Sequence, residues 1–332
     1  MKKFEVVQQI FHQQIPHKPA QESGLSFAPT NIALCKYWGK RDEELNLPLT
    51  SSLSVALPEK GALTNISMNT GQSDQIILND QAIEKTSGFA QRTSAFLDLF
   101  RPNQDWFLDI NIKMNLPVAA GLASSACGFA SLVLALNDLF QWQLSQRYLS
   151  ILARFGSGSA SRSLWNGFVE WHVGVQPDGM DCFSEPLTFE WPGLYIGLLQ
   201  ISFAEKPVSS REAMKRTVNT SLLYQNWPRK VMQDLIIVKQ ALRSQNFSLL
   251  GGTAESNALA MHATMLNAWP PICYFLPETI ANMHRIWDLR KEGLQVYFTQ
   301  DAGPNLKLLF LEKDKETLMQ LFPDLEIIRA FE

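Results

Sequence analysis

The sequence predicts an α+β fold in two lobes, on three observations. Its 332 residues correspond to about two domains at roughly 150 residues each. Helical and strand periodicities alternate along the chain without a regular βαβ beat. Pro186, Pro192 and Gly193 break the chain near its middle, which divides it into residues 1–192 and 193–332. Within the first part, residues 1–25 are polar and rich in Gln and His, and they read as an extra strand or a loose extension.

The elements follow in order. Residues 62–68 and 74–78 read as short strands, with Gly71 and Asn79-Asp80 as turn signals. Phe89, Phe96, Leu97 and Phe100 recur as on one face of a helix that stops before Pro102. Phe107, Ile110, Ile112, Met114 and Leu116 include an alternating apolar row, so this stretch is a strand. A turn at 117–121 leads into a helix over about 123–140. A second helix carries Tyr148, Ile151, Leu152 and Phe155 on one face and ends at Gly156. Strands are expected at 167–173 and 194–201. Helices follow near 211–224, 229–247, 252–267 and 278–291, then strands at 294–299 and 306–311 joined by a turn. Residues 116–136 carry no charge and meet the length test for a membrane span. Pro117, Gly121, Gly128 and three serines mark them instead as a loop feeding a buried helix.

Composition narrows the function. The 29 Lys and Arg against 32 Asp and Glu give a net charge of -3. That excludes a polybasic nucleic-acid binder and requires any highly anionic ligand to meet a local cluster of cations. The four cysteines, at 35, 127, 182 and 273, form no Cys-x-x-Cys unit. With no apolar signal-peptide centre after Met1, they point to a reducing cytoplasm. The five histidines lack metal-ligand spacing, and His262 reads as a packed residue in a helix. There is no His-Glu-x-x-His and no Gly-x-Ser-x-Gly.

Four segments hold candidate chemistry, each with a plainer reading beside it. The turn Pro117-Val-Ala-Ala-Gly-Leu-Ala-Ser-Ser-Ala126 places small residues and two hydroxyls at a helix start. This suits a phosphate or, equally, a tight turn with a serine cap. Lys36, Lys40 and Arg41, interleaved with Tyr37 and Trp38, can wrap a polyanion or form a solvated loop leaning on the core. Gly156-Ser-Gly-Ser-Ala-Ser-Arg-Ser163 is a flexible helix end or an arginine clamp for a carboxylate or phosphate. Asp301-Ala-Gly-Pro-Asn305 has the composition of a hairpin turn.

Together, in order and spacing, these segments resemble the diphosphomevalonate decarboxylases of the GHMP small-molecule kinase superfamily. The matching residues are Ala28-Pro-Thr-Asn-Ile-Ala with Lys36-Tyr-Trp-Gly-Lys-Arg-Asp42, Ala119-Ala-Gly-Leu-Ala-Ser-Ser-Ala126, Gly156-Ser-Gly-Ser-Ala-Ser-Arg-Ser163 and Asp301-Ala-Gly-Pro-Asn305. Weaker matches include Ser51-Ser-Leu-Ser54 and Val208-Ser-Ser210. The likeness runs from about residue 25 to about 312. Ser161 and Trp165-Asn166 depart from the family pattern, without removing an implied catalytic group.

The resemblance implies a GHMP-kinase fold: an N-terminal half like ribosomal protein S5 domain 2 and a ferredoxin-like C-terminal half. The site lies between them, in a homodimer. The implied reaction is ATP-dependent decarboxylation of mevalonate 5-diphosphate to isopentenyl diphosphate, with Mg2+. Gly121, Leu122, Ala123, Ser124, Ser125 and Ala126 would hold the ATP phosphates, with Ser124 near magnesium and Ser125 near the transferred phosphoryl. Lys36, Tyr37 and Lys40 would grip the substrate diphosphate, with Ser157 and Ser159. Arg162 would bind the substrate carboxylate and fix Asp301, which faces the 3-hydroxyl, and Asn31 would support both. Lys206 and Arg211 would reach ATP or substrate phosphates. No nucleic acid and no membrane is expected as a partner.

Overall fold

The computed structural model describes every residue except 17, 102–105, 117–123, 205 and 332, with the side chain of Ser124 also outside the description. The chain begins with helix α1 (Lys3–Ile10), then strands β1 (Ser23–Cys35), β2 (Lys40–Asp42), β3 (Leu47–Pro48), β4 (Ser52–Asn69), β5 (Gln75–Leu78) and β6 (Gln81–Ala82). Helix α2 (Gly88–Leu97), strand β7 (Phe107–Met114) and helices α3 (Ser124–Phe140) and α4 (Gln146–Gly156) follow. After a 3-10 turn (Gly158–Arg162) come strands β8 (Phe168–Trp171), β9 (Ser184–Pro186) and β10 (Leu194–Leu199). Helices α5 (Ser210–Thr220), α6 (Trp227–Ser244), α7 (Phe247–Leu266) and α8 (Pro277–Lys291) precede the hairpin β11 (Val296–Gln300) and β12 (Leu306–Leu311). Helix α9 (Lys315–Leu321) and strand β13 (Glu326–Arg329) close the chain.

Two large sheets hold most of the strands, and β2 and β3 pair in a small antiparallel sheet of their own. The first runs β6-β5-β7-β4-β8-β9, with β1 antiparallel to β4; the second runs β11-β12-β10-β13. All first-sheet strands end by Pro186 and all second-sheet strands start from Leu194. One large apolar core joins residues from both halves. A smaller one, around Phe298, Leu308 and Phe310, sits under α8 and α9. Serine and asparagine caps start several helices: Ser87, Ser145 and Ser209 accept from backbone N–H groups three residues on, as does Asn246. Proline opens α6 and α8. Among the described residues no helix is long and apolar enough to cross a membrane.

Three expectations are corrected. Residues 3–10 are a helix, not a strand or loose extension, because Val6, Val7 and Ile10 form one apolar face that packs inward. The strand expected at 62–68 is the second half of an 18-residue strand. Pro58 and Gly61 look like breakers, but the register slips between Pro29 and Thr30 of β1 opposite them, and pairing continues. The loop expected at 156–163 is a buried 3-10 turn rather than a flexible helix end.

Candidate active site

Between the two sheets lies a cleft of about 540 Å3, lined by residues from every candidate segment. Strand β1 delivers Asn31 and, just past its end, Lys36, and the 3-10 turn with its N-cap Ser157 delivers Ser157, Ser159 and Arg162. The turn between β11 and β12 delivers Asp301, and the start of α3 delivers Ser125.

Gly39 shapes the Lys36–Arg41 segment. Its φ of +111° lies in the left-handed region, and a Cβ there would collide with the Tyr224 hydroxyl. That hydroxyl and the Trp227 indole N–H both donate to the Trp38 carbonyl, at 2.8 and 2.9 Å. The segment is therefore no solvated loop. Lys36 and Trp38 are buried, while Arg41 turns outward and donates to the Val173 and Gln176 carbonyls.

Asp301 and Arg162 set the electrostatics. Asp301 Oδ1 accepts from Lys36 Nζ at 2.7 Å, and Oδ2 lies 3.2 Å from Lys307 Nζ. The two lysines are 2% exposed and the carboxylate 23%. Burial works to raise the Asp301 pKa, but Lys36 and Lys307 outweigh it and hold the carboxyl well below the usual range. The expected Arg162–Asp301 clamp is thus replaced by two lysines. Arg162 acts on Asp301 through space.

Among the described residues the Arg162 guanidinium hydrogen-bonds only neutral oxygens: Ser52 Oγ at 2.6 Å, Ser54 Oγ at 3.1 Å and Asn31 Oδ1 at 3.2 Å. Asn31 in turn donates to Ser163 Oγ at 2.8 Å. Burial lowers the Arg162 pKa to about 10, against the pull of Asp301. The group stays charged at neutral pH. A buried cation without a hydrogen-bonded carboxylate is an incomplete arrangement that a ligand carboxylate completes.

The remaining predicted residues fall around this pair. Ser125, Ser157 and Ser159 form a chain of hydroxyls, each step 3.2 Å. Tyr37 stands edge-on to Trp171 with its hydroxyl buried, and burial pushes its pKa up. Lys40 donates to Asn46 Oδ1 at 2.7 Å. Lys206 donates to Ser210 Oγ and the Ala302 carbonyl, both at 3.0 Å, and Arg211 is an exposed cation on the cleft rim. Ala126 is buried in α3, while Gly121, Leu122 and Ala123 lie outside the described residues, as does the Ser124 side chain. His262 is buried and stacked on Phe275, and its Nε2–H donates to the Asp301 carbonyl. Burial, with Lys36 nearby, brings its pKa down to about 3, so it is neutral. It braces the turn and carries no charge into the site.

Several contributors escape the sequence. Lys307 is a lone lysine inside the apolar strand Leu306–Leu311, and that oddity was its only signal. Arg92 of α2 lines the cleft and also an adjoining apolar chamber of about 370 Å3, walled by Leu78, Phe89, Met114 and Phe129. Beneath Lys36, its backbone N–H donates to Asn257 Oδ1 at 2.8 Å, and Asn257 donates to Asp234 Oδ2 at 2.7 Å. Asn257 is fully buried and spans from α7 to the end of β1, so Asn257→Ala strands the buried Lys36 N–H and takes one donor from Asp234, which keeps Lys230. We expect a loss of about 2–4 kcal/mol, read as a lower urea midpoint. A change under about 1 kcal/mol would show that water takes over both bonds.

Comparison with known proteins identifies the family. Residues 28–184 match the diphosphomevalonate decarboxylase-like N-terminal domain, and residues 198–328 match the mevalonate 5-diphosphate decarboxylase C-terminal domain. Diphosphomevalonate decarboxylase mvd1 of Aspergillus fumigatus is 38% identical, across 88% of this chain and 77% of that one. The crystal structure of mevalonate diphosphate decarboxylase from Staphylococcus aureus superposes with a TM-score of 0.88 at 36% identity, covering 96% of this chain and 98% of the other. MDDEF, solved in complex with MVAPP, AMPPCP and magnesium, gives a TM-score of 0.86 at 39% identity, covering 93% and 97%. On sequence and fold, this chain belongs to the diphosphomevalonate decarboxylase family.

Proposed function

We propose that this protein converts mevalonate 5-diphosphate and ATP to isopentenyl diphosphate, ADP, phosphate and carbon dioxide. The observation that carries the reading is the pairing of two charges in one cleft. Among the described residues Arg162 is a buried guanidinium bonded only to neutral oxygens, and Asp301 is a carboxylate held ionised by two lysines. The first is built for a substrate carboxylate. The second is built for a centre that becomes positive.

The chemistry follows from the substrate. Its tertiary 3-hydroxyl is a poor leaving group and is first phosphorylated by ATP. Phosphoryl transfer needs in-line positioning and neutralised charge more than covalent help from the protein. Ser125, Ser157 and Ser159 offer hydroxyls along the phosphate path, and Lys206 and Arg92 offer cations. We place the adenine in the apolar chamber beside Arg92. Among the described residues no three His, Cys, Asp or Glu side chains cluster as metal ligands. The oxygens facing the phosphates are hydroxyls, a set that suits magnesium carried on ATP with its own waters. When bound, magnesium supplies positive charge to the transferring phosphates. Asp301 orients the 3-hydroxyl. As phosphate departs, positive charge grows at C3 and draws electrons from the carboxylate held on Arg162, and carbon dioxide leaves.

Because Lys36 is spent on Asp301 and on the Ala33 carbonyl, we reassign it from the diphosphate to the reacting centre. Lys40, Arg211 and the serines of the 3-10 turn remain for the diphosphate. Three buried cysteines outside any disulfide, Cys35, Cys127 and Cys182, suit a reducing compartment, and we place the enzyme in the cytoplasm.

A paired assay of ADP and carbon dioxide from ATP, magnesium and mevalonate 5-diphosphate tests the reading. Equal yields support it. ADP without carbon dioxide would replace it with a 3-kinase.

A pH profile tests Lys40. Burial, then Arg211, lowers its pKa to about 8, against the pull of Glu43. Below that value the ammonium is charged and attracts phosphate; above it, the charge is lost. The kcat/KM for the diphosphate should therefore fall as pH rises past about 8. The substrate phosphates are already ionised there, with a second pKa of about 6. Lys40→Arg should move the fall to higher pH. A flat profile through this range would exclude Lys40 from the diphosphate.

A further inference from the structure

We propose that α1 completes the far end of the substrate cleft, where Lys3 joins Lys40 and Arg211 in a subsite for the terminal phosphate. This deepens the functional reading above and rests on it. Three observations lead there: a chamber, its charge and the way α1 is mounted.

The cleft does not end at Lys40. A second chamber of about 490 Å3 continues from it and shares the Lys40, Asn46, Ser209, Arg211 and Met214 walls. Lys3 lines this chamber from α1, and Lys215 lines it from α5. Four cations thus face two carboxylates, Glu43 and Glu212, in a chain whose net charge is -3. Glu212 is already engaged, 3.4 Å from Arg216. The chamber therefore holds an excess of positive charge next to the place where a substrate diphosphate would end. A terminal phosphate brings about -1.5 to -2 at neutral pH.

Lys3 is mounted firmly. Val6 and Val7 of α1 are fully buried and Ile10 nearly so. Past the helix, the Phe11 ring packs edge-on against Trp142 at 4.9 Å, and the Trp142 indole N–H donates to the Pro16 carbonyl. The Lys3 backbone N–H reaches Glu44 Oε1 at 3.4 Å. The ammonium is thus presented from an anchored helix. Burial lowers the Lys3 pKa, with Glu44 opposing and Arg211 and Arg154 adding repulsion. An entering phosphate relieves that repulsion, so the subsite is poised for an anion. Helix α1 precedes the residues that match the family's N-terminal domain, which begin at 28. Lys3 therefore lies outside the residues that match the family's N-terminal domain, while Lys40 and Arg211 lie inside the matched domains.

Lys3→Ala in the full-length chain tests the proposal, because alanine preserves the first turn of α1 and leaves Val6, Val7 and Ile10 in place. We expect KM for mevalonate 5-diphosphate to rise about tenfold, with kcat and KM for ATP changed less than about twofold. Lys3→Arg should restore KM. Inorganic pyrophosphate, measured by calorimetry, should weaken in parallel as a non-reacting probe of the same subsite. Wild-type turnover with unchanged KM and unchanged pyrophosphate affinity in Lys3→Ala would overturn this inference alone. No wild-type turnover of mevalonate 5-diphosphate would overturn the functional reading, and the inference with it.

Discussion

Asp301→Asn should lower kcat about a thousandfold while mevalonate 5-diphosphate still binds. The estimate is electrostatic. A carboxylate about 4 Å from a developing positive charge interacts by roughly 4 kcal/mol at an effective dielectric near 20, and each 1.36 kcal/mol is about tenfold in rate. Asparagine keeps the shape and loses the charge. Lys36 and Lys307 make Asp301 a weak base by holding its pKa down, so orientation and charge stabilisation outrank proton abstraction. The variant also leaves two buried ammoniums, each 2% exposed, beside a neutral amide. Breaking such buried pairs can cost about 3–5 kcal/mol of stability, so a thermal melt and calorimetric substrate binding belong beside the kinetics. A folded variant that binds substrate and has lost less than about tenfold in kcat would remove Asp301 from the reacting centre.

How much of this was legible in the sequence differs by element. The strand over Phe107–Met114 and the hairpin around Asp301 could be read directly, because alternation and turn residues are local signals. Helix α1 could not, because three buried residues among glutamines give too little apolar periodicity to set against a polar composition. The length of β4 was hidden by Pro58 and Gly61, whose effect depends on a register slip in another strand. At the site, the family resemblance implied Asn31, Lys36, Tyr37, Lys40, Ser125, Ser157, Ser159, Arg162 and Asp301, all of which line one cleft. Partnership was not legible. The sequence reading paired Asp301 with Arg162, but the folded chain surrounds it with Lys36 and Lys307, residues 265 positions upstream and one strand downstream. Which cation meets which anion depends on how β1 and β12 converge, and no local pattern encodes that. Lys3, Asn257 and Arg92 escaped for the same reason: each acts through neighbours distant in sequence.

Arg162→Lys is the substitution that separates charge from geometry, and we expect it to cost about a hundredfold to ten-thousandfold in kcat/KM for mevalonate 5-diphosphate. Lysine is close in charge but cannot reproduce the planar fork. In the wild type, Nε and both terminal nitrogens are fixed by Asn31, Ser52 and Ser54, and these bonds consume three of the five N–H groups. The two that remain can meet both oxygens of a carboxylate. Each charge-assisted bond contributes about 1.5–3 kcal/mol, so losing the pair costs about 3–6 kcal/mol, which sets the expected range. Lysine adds a second difficulty. Burial already lowers arginine here to about 10; an ammonium starting near 10.4 falls further in the same surroundings and risks losing its proton. If Arg162 seats the carboxylate so that the 3-hydroxyl meets Asp301, ADP and carbon dioxide should fall together, because misplaced substrate is neither phosphorylated nor decarboxylated. KM for ATP should stay within about twofold. ADP formed at the wild-type rate would refute the seating role, because phosphorylation would then be indifferent to where the carboxylate lies.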